Sequence, residues 1–154
     1  MQELEVLITQ LMPAEIDMHV DIWDELEAKR LAGEPVSPIY VVEHPDLAGK
    51  YVIYHGNYQP LRYHLDYFER ARVVVLRSTA DMVEHHRREE WYDDEDTTFE
   101  QELAMTMQYA RAAQSMGVVT VPDLLRCFDV LPHDIAILNL PLSKAYSQIQ
   151  EPSE

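Results

Sequence analysis

His55, Gly56, Asn57, Gln59, Arg62 and His64 form the densest polar cluster in the sequence. A histidine exchanges a proton near neutral pH, an asparagine can orient a ligand by hydrogen bonds, and an arginine neutralises an anionic group. If the chain holds a small-molecule site, these six residues are its candidate ligand-binding set. The same residues have a plain structural reading. Gly56 and Asn57 tolerate a left-handed backbone, and both histidines can cap or pack.

Other constellations are weaker. His85 with Glu89 and His86 with Glu90 stand four residues apart, which places each pair on one helix face. Arg87 and Arg88 lie in the same run and repel a cation, so no metal is expected there. The acidic run 89–96 lacks the glycine and the bidentate-glutamate spacing of a calcium loop, and Trp91-Tyr92 within it suits either a docking epitope or a lid. Cys127, beside Arg126 and six residues before His133, reads as a small buried hydrophobe rather than a nucleophile. Met105, Met107 and Met116 with Tyr109 read as core or an interface stripe, since methionine fills irregular gaps.

The elements that must position the cluster follow from periodicity and turn chemistry. Ile16, Val20, Trp23 and Leu26 recur at helical spacing between Pro13 and Ala32, and Gly33 supplies a stop. Ile39-Tyr40-Val41-Val42 and Tyr51-Val52-Ile53-Tyr54 are strand-length apolar runs, separated by the Pro45, Asp46 and Gly49 of a turn, and together predict a hairpin. After Gly56-Asn57, Pro60 opens a short helix on which Leu61, Leu65 and Phe68 share a face. Arg72 to Arg77 predicts a buried third strand, and Ser78 or Thr79 caps a helix carrying Met82, Val83 and His86. Thr97 with Glu100 and Thr98 with Gln101 each match a capping box ahead of a stripe of Phe99, Leu103, Met107, Ala110 and Ala113 that ends at Gly117. A short helix over 122–128, an ambiguous apolar stretch 135–140 and a last helix over 142–149 complete the reading.

With 154 residues, 47% hydrophobic and 26% charged, the chain has the size and composition of one folded domain. No apolar run reaches the roughly 20 residues needed to cross a bilayer, and acidic residues occupy the N-terminus where a secretory signal carries Lys or Arg. A cytoplasmic location is expected, with no membrane partner. The single cysteine allows no internal disulfide. Twelve Lys and Arg against 28 Asp and Glu give a net charge of −16, which disfavours DNA binding unless Arg70, Arg72, Arg77, Arg87 and Arg88 gather on one face.

From about Leu7 to Ser78 the order of elements, with Pro38-Ile39-Tyr40-Val41 and the run Tyr51-Val52-Ile53-Tyr54-His55-Gly56-Asn57-Tyr58-Gln59, resembles the ParB/sulfiredoxin-like superfamily, and in particular the ParB N-terminal domain. That resemblance implies an α/β (α+β) fold, a small mixed sheet with packed helices, here with a helical C-terminal extension. It divides the chain into a core over 1–88, an acidic loop over 89–97 and an extension over 98–154 packed on the same domain. The superfamily's turn continues Gly-x-x-Arg, and the cofactor it implies is a nucleotide with Mg²⁺. Tyr58-Gln59 departs from that pattern. An uncharged amide cannot reproduce the bidentate, charge-assisted grip of a guanidinium on phosphate, worth about 2 kcal/mol. Arg62 is the nearest replacement, and Pro60 removes a backbone N–H from the helix start. Sulfiredoxin activity is excluded, because Asn57 stands where the catalytic cysteine of that family would be.

The resulting expectation is a diverged ParB-like module that is non-catalytic or binds ligand weakly, in a bacterial or phage nucleic-acid-associated setting, with a protein partner or a small anionic ligand. Two alternatives stand beside it. One is a nucleotide-dependent phosphoryl-transfer or hydrolase enzyme built on the Gly56-Asn57 turn. The other is an acidic protein-interaction module or DNA mimic.

Overall fold

The computed structural model describes residues 1–15, 20–54, 58–89 and 98–124. Strand β1 (Gln2–Leu7) leads through one turn of 3₁₀ helix into the short β2 (Leu11–Met12), then come helix α1 (Val20–Leu31), strands β3 (Ile39–Glu43) and β4 (Tyr51–Ile53), helix α2 (Tyr58–Leu65), strand β5 (Arg70–Val75), and helices α3 (Thr79–Arg88) and α4 (Phe99–Ser115). The five strands make one mixed sheet in the order β1-β5-β3-β4-β2. β5 is antiparallel to β1 and parallel to β3, β3 and β4 form the expected antiparallel hairpin, and β2 adds in parallel to β4. The fold class read from the sequence is the one observed.

Strands at the two ends of this order, β1 and β2, are joined by only the three residues Ile8–Gln10. A flat five-stranded sheet separates its edges by about 19 Å, whereas four residue steps reach at most about 14 Å. The sheet must therefore curl toward closure. Hydrogen bonds hold that corner: Gln10 accepts from the Leu7 N–H at 2.8 Å and donates to the Gly49 carbonyl at 2.9 Å, and Ile8 N–H donates to the Glu69 carbonyl at 3.0 Å.

Period-two alternation sorts the strand side chains onto two faces. Ile39, Val41, Ile53, Ala71, Val73 and Val75 pack with Leu26 and Leu61 on the α1/α2 side, while Val42, Val52 and Tyr54 pack with Met82, Met107 and Ala110 on the α3/α4 side. Of the methionine group read from the sequence, Met107 and Met116 are core, whereas Met105 and Tyr109 face solvent. α4 thus shares its buried face with the sheet. Among the described residues no helix is long and apolar enough to cross a membrane.

Helix boundaries differ from the sequence reading where the sheet competes for the chain. A helix from Pro13 is not observed: Leu11 and Met12 pair with β4, Ala14 is buried in the core, and α1 runs from Val20. α2 stops at Leu65, so Phe68 leaves the face it was expected to share with Leu61. The third strand begins at Arg70 rather than Arg72, because pairing with β1 extends it. Both caps are as expected: Ser78 accepts from the Asp81 N–H at 3.1 Å, and Thr98 and Gln101 form a reciprocal box. The acidic run from residue 90 onward, Cys127, the stretch 135–140 and the last expected helix lie outside the described residues.

Three helices end alike. After α1, Gly33 N–H bonds the Arg30 carbonyl and Glu34 N–H the Lys29 carbonyl; after α4, Gly117 and Val118 bond Gln114 and Ala113 in the same pattern. After α2, Tyr67 N–H bonds His64 and Phe68 N–H bonds Tyr63. Each is a Schellman motif, whose first residue past the cap sits in the left-handed region. Gly33 and Gly117 take φ of 71° and 84° there without a Cβ to clash, and Tyr67 takes 63° with one.

Candidate functional site

Of the six candidate ligand-binding residues, His55, Gly56 and Asn57 lie outside the described residues, and Gln59, Arg62 and His64 lie on α2. The Gln59 side-chain oxygen accepts from the Ser37 N–H at 3.3 Å, which ties the start of α2 to the segment entering β3. His64 is half-buried. The three side chains do not gather around a common point through any contact among them; Gln59 and Arg62 each reach for the backbone of the 34–37 segment instead.

Arg62 is the decisive member. Its side chain points into the protein and only 3% of the residue is exposed. The guanidinium donates to the Glu34 carbonyl, and its Nε lies 3.7 Å from an Asp66 carboxylate oxygen one helical turn on. Asp66 also faces Arg30 at 3.9 Å, and Arg30 in turn grips Glu27 with two hydrogen bonds of 3.2 Å. The hydrogen bond and charge of Glu27, with Asp66 behind it, push the Arg30 guanidinium further above its ordinary range. Arg62 therefore works as a tie between α2 and the end of α1. A buried guanidinium held this way is costly to withdraw, because its carbonyl and carboxylate partners would be left unsatisfied.

A second polar group lies on the other face of the sheet. The Tyr54 phenol donates to Glu102 Oε2 at 2.9 Å and lies 2.9 Å from His86 Nε2. A phenol has one proton, so with that proton given to the carboxylate, His86 Nε2 must carry the hydrogen it shares with Tyr54. Tyr40 stacks on His85 with ring centroids 3.8 Å apart, and Tyr54 meets His85 edge-on at 5.8 Å. This network joins β3, the end of β4, α3 and α4 at Tyr54, the residue that immediately precedes His55-Gly56-Asn57 in the chain. Sequence reasoning placed His86 on α3 but read it as a helix end with a glutamate neighbour. The signal for an inward histidine pair was the spacing of Met82 with His85 and His86, three and four residues on, which puts both rings on the helix's buried side. Among the described residues no group of three His, Cys, Asp or Glu is placed to hold a metal ion.

Four of the five arginines that would have to form a positive face, all but Arg70, are matched with acids. Arg72 lies 3.7 Å from Glu3 and Arg77 2.5 Å from Glu43, while Arg87 and Arg88 share Glu84 at 2.6 and 3.0 Å. Hydrogen bonds from both arginines pull the Glu84 carboxyl down to about 2. A nucleic-acid phosphate would have to displace a glutamate at each of these positions.

No family model matches the chain, and no curated protein matches it. Among solved structures, the chain is similar to protein Atu1540 from Agrobacterium tumefaciens (17% identity, TM-score 0.38), with 60% of this chain and 50% of that one covered. It spans about half the length of that protein. It is also similar to the C-terminally truncated chromosome-partitioning protein ParB from Caulobacter crescentus. The structure complexed with CTP-γ-S gives 17% identity and a TM-score of 0.41, covering 97% of this chain and 100% of that chain. The structure complexed to the centromeric parS site gives 16% and 0.39, covering 97% and 85%. The likeness is confined to the fold.

Proposed function

We propose that this chain is a ParB-like module that acts by binding and not by catalysis, in a nucleic-acid-associated setting, with the His55-Gly56-Asn57 turn as a weakened or re-purposed ligand site. The observation that supports this reading is the inward placement of Arg62. Gln59 offers no charge where the superfamily's turn carries arginine, and Arg62, three residues on, is engaged by Glu34 and Asp66. A triphosphate placed at the turn would lack the guanidinium that neutralises it, and phosphoryl transfer stabilises a charge that such a group must hold. A nucleotide with Mg²⁺ is accordingly the ligand to test rather than the one to expect.

The enzyme reading makes the opposite demand. It needs Arg62 released toward the turn and carboxylates gathered to hold Mg²⁺. Incubating the protein with CTP, ATP or GTP and Mg²⁺ and measuring inorganic phosphate separates the two. The binding-module reading predicts release no faster than in buffer. Release that scales with enzyme and is lost in Asn57→Ala would overturn it in favour of a hydrolase.

A further inference from the structure

β1 is an edge strand with one neighbour, β5, to which it pairs without a bulge from Gln2↔Val75 to Leu7↔Arg70. Edges are commonly blunted by a bulge, a proline or a lysine, and β1 has none of the three. In an antiparallel pair, residues that bond the neighbour alternate with residues whose N–H and C=O point away. The upper end of the strand fixes which are which. Ile8 N–H donates to the Glu69 carbonyl, whereas Leu7 N–H turns the other way and is taken by the Gln10 side chain at 2.8 Å. By that alternation Val6, Leu4 and Gln2 bond β5, and Glu5 and Glu3 present their N–H and C=O groups along the open edge. On the far side of β5 the parity agrees, since Leu76 N–H donates to Val41 of β3. Gln10 closes the edge at Leu7; no group among the described residues closes it at Glu3 and Glu5.

The side chains of the same stretch define what fits it. Leu4 and Val6 lean into the α1/α2-side core, Leu4 only half-buried, while Glu3 and Glu5 are exposed on the opposite face. Arg72, across from Glu5 in register, turns to Glu3 at 3.7 Å, and Glu5 has no ion pair among the described residues. We infer that this edge accepts an added strand from a protein partner, an extended segment in which lysine or arginine alternates with β-branched residues. Its backbone pairs with Glu3 and Glu5, its cations lie over their carboxylates, and its apolar side chains cover Leu4. A second copy of this chain does not fit. Every two-fold antiparallel pairing that matches these backbone groups sets glutamate opposite glutamate. The inference is independent of what the turn binds.

The test uses a fluorescent, end-capped peptide of alternating lysine and valine, with a glutamate–valine peptide as control, at about 150 mM salt. Wild type is expected to bind the basic peptide and not the acidic one. Methylating the lysine amide nitrogens removes the N–H groups of one edge of the peptide, and methylating the valine nitrogens those of the other. One set should weaken binding by about tenfold and the other should leave it unchanged. Glu3→Lys combined with Glu5→Lys should weaken binding by about tenfold or more. Asp24→Lys combined with Glu25→Lys, the same charge change at exposed positions of α1, should leave it intact. An equal response to the two methylations, or an equal loss in the two charge-reversed variants, would reduce the effect to general charge attraction and overturn the proposal. So would failure of wild type to bind the basic peptide, or a concentration-dependent dimer in sedimentation that the Glu3 and Glu5 replacements abolish, which would make the occupant a second copy.

Discussion

Arg62 and Tyr67 lie five residues apart around the end of α2 and treat solvent in opposite ways. The cation, which by type belongs at the surface, is buried and tied to Glu34 and Asp66; the aromatic ring, which by type belongs inside, is held outward on a strained backbone. Residue type alone would have assigned ligand contact to the arginine and packing to the tyrosine. The difference teaches that a cation's availability is set by its nearest acceptors.

The largest effect should come from Arg62. Replacing it with Met leaves the Glu34 carbonyl without its donor and removes one of the two cations facing Asp66, and should lower stability by about 2–3 kcal/mol in urea unfolding with no ligand present. An Arg62→Met variant as stable as wild type would mean that the side chain is not a structural tie, and the contrast with Tyr67 would fail. On the other side of the comparison, Gly117→Tyr should reproduce at α4 the strain that α2 tolerates. A Cβ there meets nothing within 4 Å, so the cost of about 1–2 kcal/mol is backbone strain alone. Tyr67→Gly should move the other way by a similar amount, since the greater freedom of an unfolded glycine offsets part of the strain in both substitutions alike.

Tyr54→Phe sharpens the contrast between buried polar groups. It removes one oxygen that serves both His86 and Glu102 and should cost about 1–2 kcal/mol. The smallest effect concerns Glu84, which is half-buried at the surface under its two arginines. Its folded-state carboxyl titrates at about 2, below its ordinary value of 4.5, so its pairing with Arg87 and Arg88 contributes fully above pH 4.5 and is lost as the pH falls through about 2. Carboxyl-detected NMR should place the Glu84 midpoint near 2 in wild type and back in the usual carboxylate range when Arg87 and Arg88 are both replaced by Gln.

Much of this architecture was legible in the sequence. Gly33 and Gly117 marked two helix ends, Thr98 and Gln101 a helix start, and the alternation of Ile39 to Val42 a strand with two faces, because these signals act over a few residues. The third helix end was missed because Tyr67 carries no such signal. That Pro13 does not open a helix was missed because β2 forms only by pairing with β4, forty residues on. Arg62 was read as a candidate ligand contact from its spacing to Gln59. That spacing is real, but the acceptors that claim the side chain are the backbone of Glu34, distant in sequence, and Asp66, whose match to Arg62 at four residues was legible and passed over in favour of the turn.

The measurement that tests the central claim most directly is a thermal-shift titration of the purified protein with CTP, ATP and GTP, with and without Mg²⁺. A nucleotide bound at 100 times its dissociation constant stabilises the folded state by about 2.7 kcal/mol, a shift of several degrees for a domain of this size. The binding-module reading predicts no saturable shift at millimolar nucleotide, because Arg62, three residues after Gln59, is engaged by Glu34 and Asp66. A saturable shift that Gln59→Ala or Asn57→Ala abolishes would contradict it and restore the turn as a nucleotide site.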